Sequence, residues 1–127
     1  MKFLGIDYGA KRIGIAVSDE RGTLAFPKII LENKKNTLEK IKNIVEEEKI
    51  KELVIGESLN FAGEPNAIAP AISAFTIKLG KLNLPIHKEK EFFTSVEARK
   101  LQGSKGKVDA GAAALILQRY LDRINLL

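Results

Sequence analysis

Residues 5–19 read GIDYGAKRIGIAVSD, two apolar stretches interrupted by one carboxylate, a glycine and two cations. Taken with the residues before them, KFLGID (2–7) and RIGIAVSD (12–19) are strand-like and join at Tyr8-Gly9-Ala10-Lys11, where Gly9 permits a tight turn. DERG (19–22) is a second turn signal, and TLAFPKIIL (23–31) a third strand. Three hairpin-linked strands make an antiparallel meander. Pro27 lacks the N–H that a central strand must donate, which assigns the third strand to an edge.

Beyond the meander the pattern changes period. NTLEKIKNIVEEEKI (36–50) spaces Leu38, Ile41, Ile44 and Val45 as a helix face, and KELVIG (51–56) reads as a short buried strand. ESLNFAGEPN (57–66) reads as a polar loop. Ile68, Ile72, Phe75 and Leu79 mark a second amphipathic helix, with Pro70 in its first turn where proline is tolerated. LPIHKE (84–89) is the expected fifth strand, TSVE (94–97) has the form of a capping box that starts a short helix running to about Gln102, and GSKGK (103–107) is a basic loop. The closing VDAGAAALILQRYLDRINLL is dense in alanine and leucine and predicts a largely buried helix. The order is βββαβαβαα. Such a chain predicts an α/β fold with a mixed five-stranded sheet, antiparallel strands 1–3 continued by two parallel strands reached through helical crossovers, with flanking helices.

Composition limits the function classes. The 127 residues, 45% of them hydrophobic, suit a single domain over 1–127. A formal net charge of +5 and a pI near 9.5 suggest an anionic partner, nucleic acid first. The absence of cysteine excludes disulfides and thiolate metal sites, and the one histidine, His87, cannot form an imidazole cluster. Any metal would sit on oxygen ligands. The amino terminus enters strand-like sequence directly, and no apolar run is long enough to span a bilayer, so a soluble cytoplasmic protein is expected.

Ligands of open sheets bind beyond the carboxyl ends of the strands. Four carboxylates are expected there: Asp7 ending the first strand, Glu57 directly after the fourth, Glu91 just past the fifth, and Asp109 opening the last helix. Carboxylates so gathered raise one another's pKa unless a cation holds them ionised, and magnesium or manganese, which prefer oxygen ligands and phosphate, are the natural counter-charge. Each acid alone also has a plain structural role. Asp7 could order its own turn, Asp109 could serve the helix amino terminus, and Glu57 and Glu91 could be solvated. His87 reads as a strand residue without a catalytic task.

Together the residues resemble a family. FLGIDYGAKRIGIAVSD (3–19) resembles the opening of the YqgF/RuvX family, and VDAGAAALILQRYLD (108–122) its closing signature. VIGESLNFAGEPN stands where that family has a strand and an Asn- and Gly-containing loop, and EFFTSVEA (91–98) where it has an acidic strand end followed by Thr, Ser or Thr, and Glu-Ala. The family is RNase H-like and is described both as Holliday junction resolvases and as nucleases maturing the 5′ end of pre-16S ribosomal RNA. The resemblance implies a magnesium-dependent nuclease with Asp7, Glu91 and Asp109 as catalytic metal ligands. Lys90 and Phe92 replace the Asp and Arg that flank the family's glutamate, and Glu57-Ser58 replace a common Leu-Pro; Glu57 is a secondary candidate ligand. Lys11, Arg12, Lys105 and Lys107 are expected on substrate phosphates, and Asn60, Gly63, Thr94 and Ser95 at the rim, although capping alone explains Thr94.

The expected partner is structured RNA, with branched DNA and a two-fold homodimer as the resolvase alternative. A binding protein without catalysis is a further alternative, motivated by the departures beside Glu91. A sugar-kinase or actin type of ATPase shares the first hairpin's logic but needs two lobes, each about this chain's size or larger, and the sequence offers no second phosphate hairpin.

Overall fold

The computed structural model describes residues 1–59, 67–92 and 110–126, with residues 59, 91 and 92 described by their backbone. Five strands, β1 (Lys2–Tyr8), β2 (Arg12–Ser18), β3 (Ala25–Glu32), β4 (Ile50–Leu59) and β5 (Ile86–Phe92), form one sheet in the order β3-β2-β1-β4-β5. The β1–β2 and β2–β3 pairs are antiparallel, and β1–β4 and β4–β5 are parallel. The expected meander, edge strand and parallel continuation are all present. Helices α1 (Thr37–Glu48), α2 (Ala69–Leu79) and α3 (Ala110–Ile124) flank the sheet, and a short 3-10 turn (Gly80–Leu82) follows α2. The helix expected near residues 94–102 and the basic loop at 103–107 lie outside the described residues.

Strand alternation divides the core in two. Leu4 and Ile6 of β1, with Leu53 and Ile55 of β4, pack against Ile41 and Ile44 of α1 and Ile72, Phe75 and Leu79 of α2. Phe3 of β1 and Val54 of β4 face the other way, onto Ala113, Ile116, Leu117, Tyr120 and Leu121, the buried stripe of α3. Gly5 decides how close α3 comes. A Cβ at that position would meet the Leu117 Cβ at 2.7 Å and the Ala113 carbonyl oxygen at 3.1 Å.

α3 is also tied at its far end. The Gln118 side chain accepts the Ala25 N–H and donates to the Thr23 carbonyl, each at 2.9 Å, while Asn125 donates to the Gly22 carbonyl at 2.9 Å. The turn it grips is itself ordered by Asp19, whose carboxylate accepts the backbone N–H groups of Thr23 (2.8 Å) and Leu24 (3.1 Å) and the Thr23 hydroxyl (2.8 Å). Those donors, the Thr23 N–H foremost, pull the Asp19 pKa down to about 2.

The β3 edge is blunted. Its ladder slips between Ile15 and Ala16, leaving Lys28 as the extra residue of a bulge beside Pro27, a combination that discourages pairing with another chain. α1 ends in Glu46, Glu47 and Glu48, a sign unfavourable at a helix carboxyl terminus. Lys2 (2.6 Å) and Lys28 (3.1 Å) engage Glu48, and their hydrogen bonds, that of Lys2 first, hold its carboxyl below the usual range.

Two boundaries differ from the sequence expectation. β4 continues through Glu57 and Ser58 to Leu59, and β5 through Lys90 and Glu91 to Phe92, so Glu57 and Glu91 belong to strands rather than to the loops beyond them. The two strand ends pair with each other, Glu57 with Lys90, Ser58 with Glu91 and Leu59 with Phe92. A ladder satisfies backbone groups whatever the side chains, and so extends through polar residues that composition assigns to a loop.

Candidate functional site

Asp7 lies near the carboxyl end of β1, paired with Gly14 across the first hairpin. It shares the α3 face with Phe3 and Gly5. Along that face Phe3 meets Tyr120 (ring centroids 5.9 Å apart), and Gly5 lies against Leu117 and Ala113, so α3 runs back along β1 from its carboxyl end toward its start. Asp7 continues the progression toward the end where α3 begins, at Ala110. Asp109, the preceding residue, lies outside the described residues. On the opposite face the Tyr8 ring packs at a tilt against Phe75, centroids 5.1 Å apart, behind the strand end.

The hairpin tip is held by a residue that the sequence reading did not single out. Asn33, just after β3, donates from its side chain to the Gly9 carbonyl and from its backbone N–H to the Lys11 carbonyl, both at 2.9 Å. Its available signal was an asparagine between a strand and a lysine pair, a common turn former. Lys11 is exposed at the tip, while Arg12 is half-buried and pairs with Glu32 of β3. Glu32 is held below the usual carboxylate range by its hydrogen bond to Lys34 first, with Arg12 a smaller contributor. Lys11 is therefore the more available of the two cations.

The other acids separate by face. Ile6 pairs with Ile55, so Gly56 is the next β4 residue abreast of Asp7, and Gly56 in turn pairs with Glu89. Glu91 holds the register position opposite Ser58, two residues beyond Glu89 on β5. Glu57 has the alternation of Leu53 and Ile55 and lines a cavity of about 100 Å³ against α2, on the face away from Asp7. The cavity also reaches Ser73, Thr76 and Lys88. Lys88 was likewise missed; it sits in an alternating Lys-Glu-Lys-Glu run of β5 that composition alone reads as solvated.

Farther down β5 the polar residues are satisfied. Glu89 is ion-paired with Arg123 of α3, whose guanidinium lies 5.5 Å from the Tyr120 ring centroid. His87 stacks on the other side of the network, 4.9 Å from Tyr120, with its Nε2 2.5 Å from Glu52. Burial, and then the Glu52 carboxylate, push the Tyr120 phenol upward. This cluster binds β4 and β5 to α3, and supplies the structural role for His87.

Asn60, Gly63, Thr94, Ser95, Lys105 and Lys107 lie outside the described residues, as does the side chain of Glu91. Among the described residues no three His, Cys, Asp or Glu side chains gather as metal ligands, and no helix is long and apolar enough to cross a membrane. The chemistry of the donor set still fits a hard cation. The chain has no thiol, its histidine is engaged with Glu52 and Tyr120, and the polar residue at the end of the central strand is a carboxylate.

Comparison with known proteins gives a consistent relationship. A family model described as "RuvX: Holliday junction resolvase" matches residues 1–123. A protein of Sulfurihydrogenibium sp. (strain YO3AOP1) named "Putative pre-16S rRNA nuclease" is 35% identical over 134 residues, covering 98% of this chain and 92% of its own. One of Koribacter versatilis (strain Ellin345) with the same name is 36% identical over 133 residues, covering 96% and 87%. Among solved structures, T. thermophilus RuvC in complex with a Holliday junction substrate superimposes with a TM-score of 0.58 at 14% identity, covering 98% of this chain and 97% of that one. The fold is RNase H-like, and the chain belongs to the RuvX (YqgF) family.

Proposed function

We propose that this protein is a metal-dependent nuclease that hydrolyses phosphodiester bonds and processes the 5′ end of pre-16S ribosomal RNA. The observation that carries this reading is the position of Asp7, near the carboxyl end of the central strand β1 and on the face along which α3 runs back to its start. Near-full-length relatives that carry the name "Putative pre-16S rRNA nuclease" support the choice of substrate.

Asp7, Glu91 and Asp109 would hold magnesium or manganese. When bound there, such an ion lowers the pKa of a coordinated water and neutralises charge developing on the phosphate. The chain's own residues do the rest. Tyr8 packed on Phe75 keeps the β1 end, and with it Asp7, from shifting. Gly56, abreast of Asp7, places no side chain beside that carboxylate. Lys11 at the clamped hairpin tip, Arg12, Lys105 and Lys107 contact the strand's phosphates, giving affinity more than sequence preference. Asn60, Thr94 and Ser95 donate hydrogen bonds at the rim. Glu57, facing α2, is left out of this ligand set.

A second reading is resolution of branched DNA, supported by the matching family model's description as a Holliday junction resolvase, for which a two-fold homodimer would present paired sites. The purified protein is to be incubated with magnesium or manganese and either a 5′-extended 16S precursor or a four-way DNA junction. Cleavage of the precursor is expected, with Asp7→Asn slowing it roughly 10²-fold to 10³-fold while the far-UV circular dichroism is unchanged. Cleavage of the junction alone, with a dimeric solution mass, would select the resolvase. Salt-sensitive binding without cleavage would select a binding protein.

A further inference from the structure

The cavity between β4, β5 and α2 opens at the same end of the sheet as Asp7 but on the other face, so the ligand set above makes no use of it. Its volume, about 100 Å³, is far above the roughly 10–15 Å³ that one water needs. The floor is apolar, Ile55 and Ile72, and the rim is polar, Glu57, Ser73, Thr76 and Lys88. Thr76 spends its hydroxyl proton on the Ile72 carbonyl at 2.7 Å. Among the described residues neither Glu57 nor Lys88 is joined in an ion pair. A half-buried carboxylate and an exposed ammonium, borne on adjacent strands over an apolar floor, match a flat heterocycle that carries N–H donors on one edge and a phosphate beyond.

Carboxylate chemistry selects among the bases. Ionised glutamate only accepts hydrogen bonds, through two oxygens. Guanine presents two adjacent donors, the ring N–H and the exocyclic amine, and so satisfies both oxygens. Adenine and cytosine offer an amine beside an acceptor nitrogen, and uracil offers one N–H between two carbonyls that repel the carboxylate. Single-stranded RNA is commonly read in this way, through bases splayed from the strand. We infer that this cavity is a guanine subsite, in which Glu57 accepts from the base edge and Lys88 meets the phosphate of an unpaired nucleotide in the strand. The inference rests on the nuclease reading for its supply of strand, since an RNA held near the end of β1 would reach the cavity only by continuing past the ends of β4 and β5.

Fluorescence anisotropy of the whole chain with labelled UUGUU, UUAUU, UUCUU and UUUUU, run in EDTA so that cleavage plays no part, tests it. UUGUU is expected to bind at least about tenfold more tightly than the others, as a two-point contact to one base provides. Glu57→Gln removes that preference, because an amide nitrogen faces one of the base donors, while Lys88→Ala weakens all four RNAs by a similar factor and keeps their order. Equal binding of the four, or a guanine preference that survives Glu57→Gln, overturns the assignment. Free guanosine monophosphate displacing UUGUU at equal concentration overturns its attribution to a strand. Paired with the magnesium incubation of the 16S precursor described above, a guanine preference in EDTA without cleavage in magnesium removes the nuclease reading and keeps the subsite, and cleavage in magnesium without a guanine preference in EDTA does the reverse.

Discussion

The two faces of the sheet use the same strands and are packed differently. On one, the missing side chain of Gly5 lets α3 settle until Leu117 and Ala113 would collide with a single added carbon. On the other, isoleucine and leucine side chains hold α1 and α2 away, and beyond Ile55 the packing stops short and leaves the cavity beside Glu57. β4 serves both, Val54 on the dense side and Glu57 on the open one. Dense packing sets α3 at a fixed height along β1 at Gly5, whereas the other face leaves a cavity of about 100 Å³ beside Glu57. One sheet carries both kinds of face.

Truncations break the comparison if the faces respond alike. Leu117→Ala, fully buried on the dense face, is expected to cost about 3–5 kcal/mol in urea unfolding. Ile72→Ala, at the cavity wall, should cost only about 2 kcal/mol, because part of its surroundings is already empty. Equal losses would mean that the faces are equally packed. Gly5→Ala sharpens the same point from the opposite direction: the added methyl should destabilise by about 1–2 kcal/mol through overpacking, and a neutral result would remove the close approach of α3. The smallest effect concerns the turn that anchors the dense face. The Asp19 pKa, about 2 against an ordinary 3.8, lies lower in the folded state, so its stabilising contribution is complete above about pH 4 and is lost as pH falls toward 2. Melting temperatures between pH 2 and 7 should show a shallower acid limb for Asp19→Asn, and an unchanged limb would exclude the turn from acid unfolding.

The meander, the crossovers and the edge position of β3 were legible because alternation, helical spacing and Pro27 each act locally. The phase of β4 was not. Leu53, Val54 and Ile55 are apolar in succession because both faces are covered, so no polar residue reveals which side Glu57 takes. Strand ends were read short for a related reason, since Glu57, Lys90 and Glu91 look like loop residues until their backbone partners are known. Asp7 could be singled out because a carboxylate in an apolar strand is costly without a purpose. Asn33 could not, because its work is done on Gly9 and Lys11, far from it in sequence.

The anchoring of α3 at Gly22 and Thr23 turns the helix into a measuring rod. Each of its residues advances about 1.5 Å and turns about 100°. Removing one residue between Gly111 and Leu117 would leave the grip of Gln118 and Asn125 in place and swing the opposite end through more than a quarter turn. The distance between Asp7 and whatever enters α3 is therefore counted in residues of the helix.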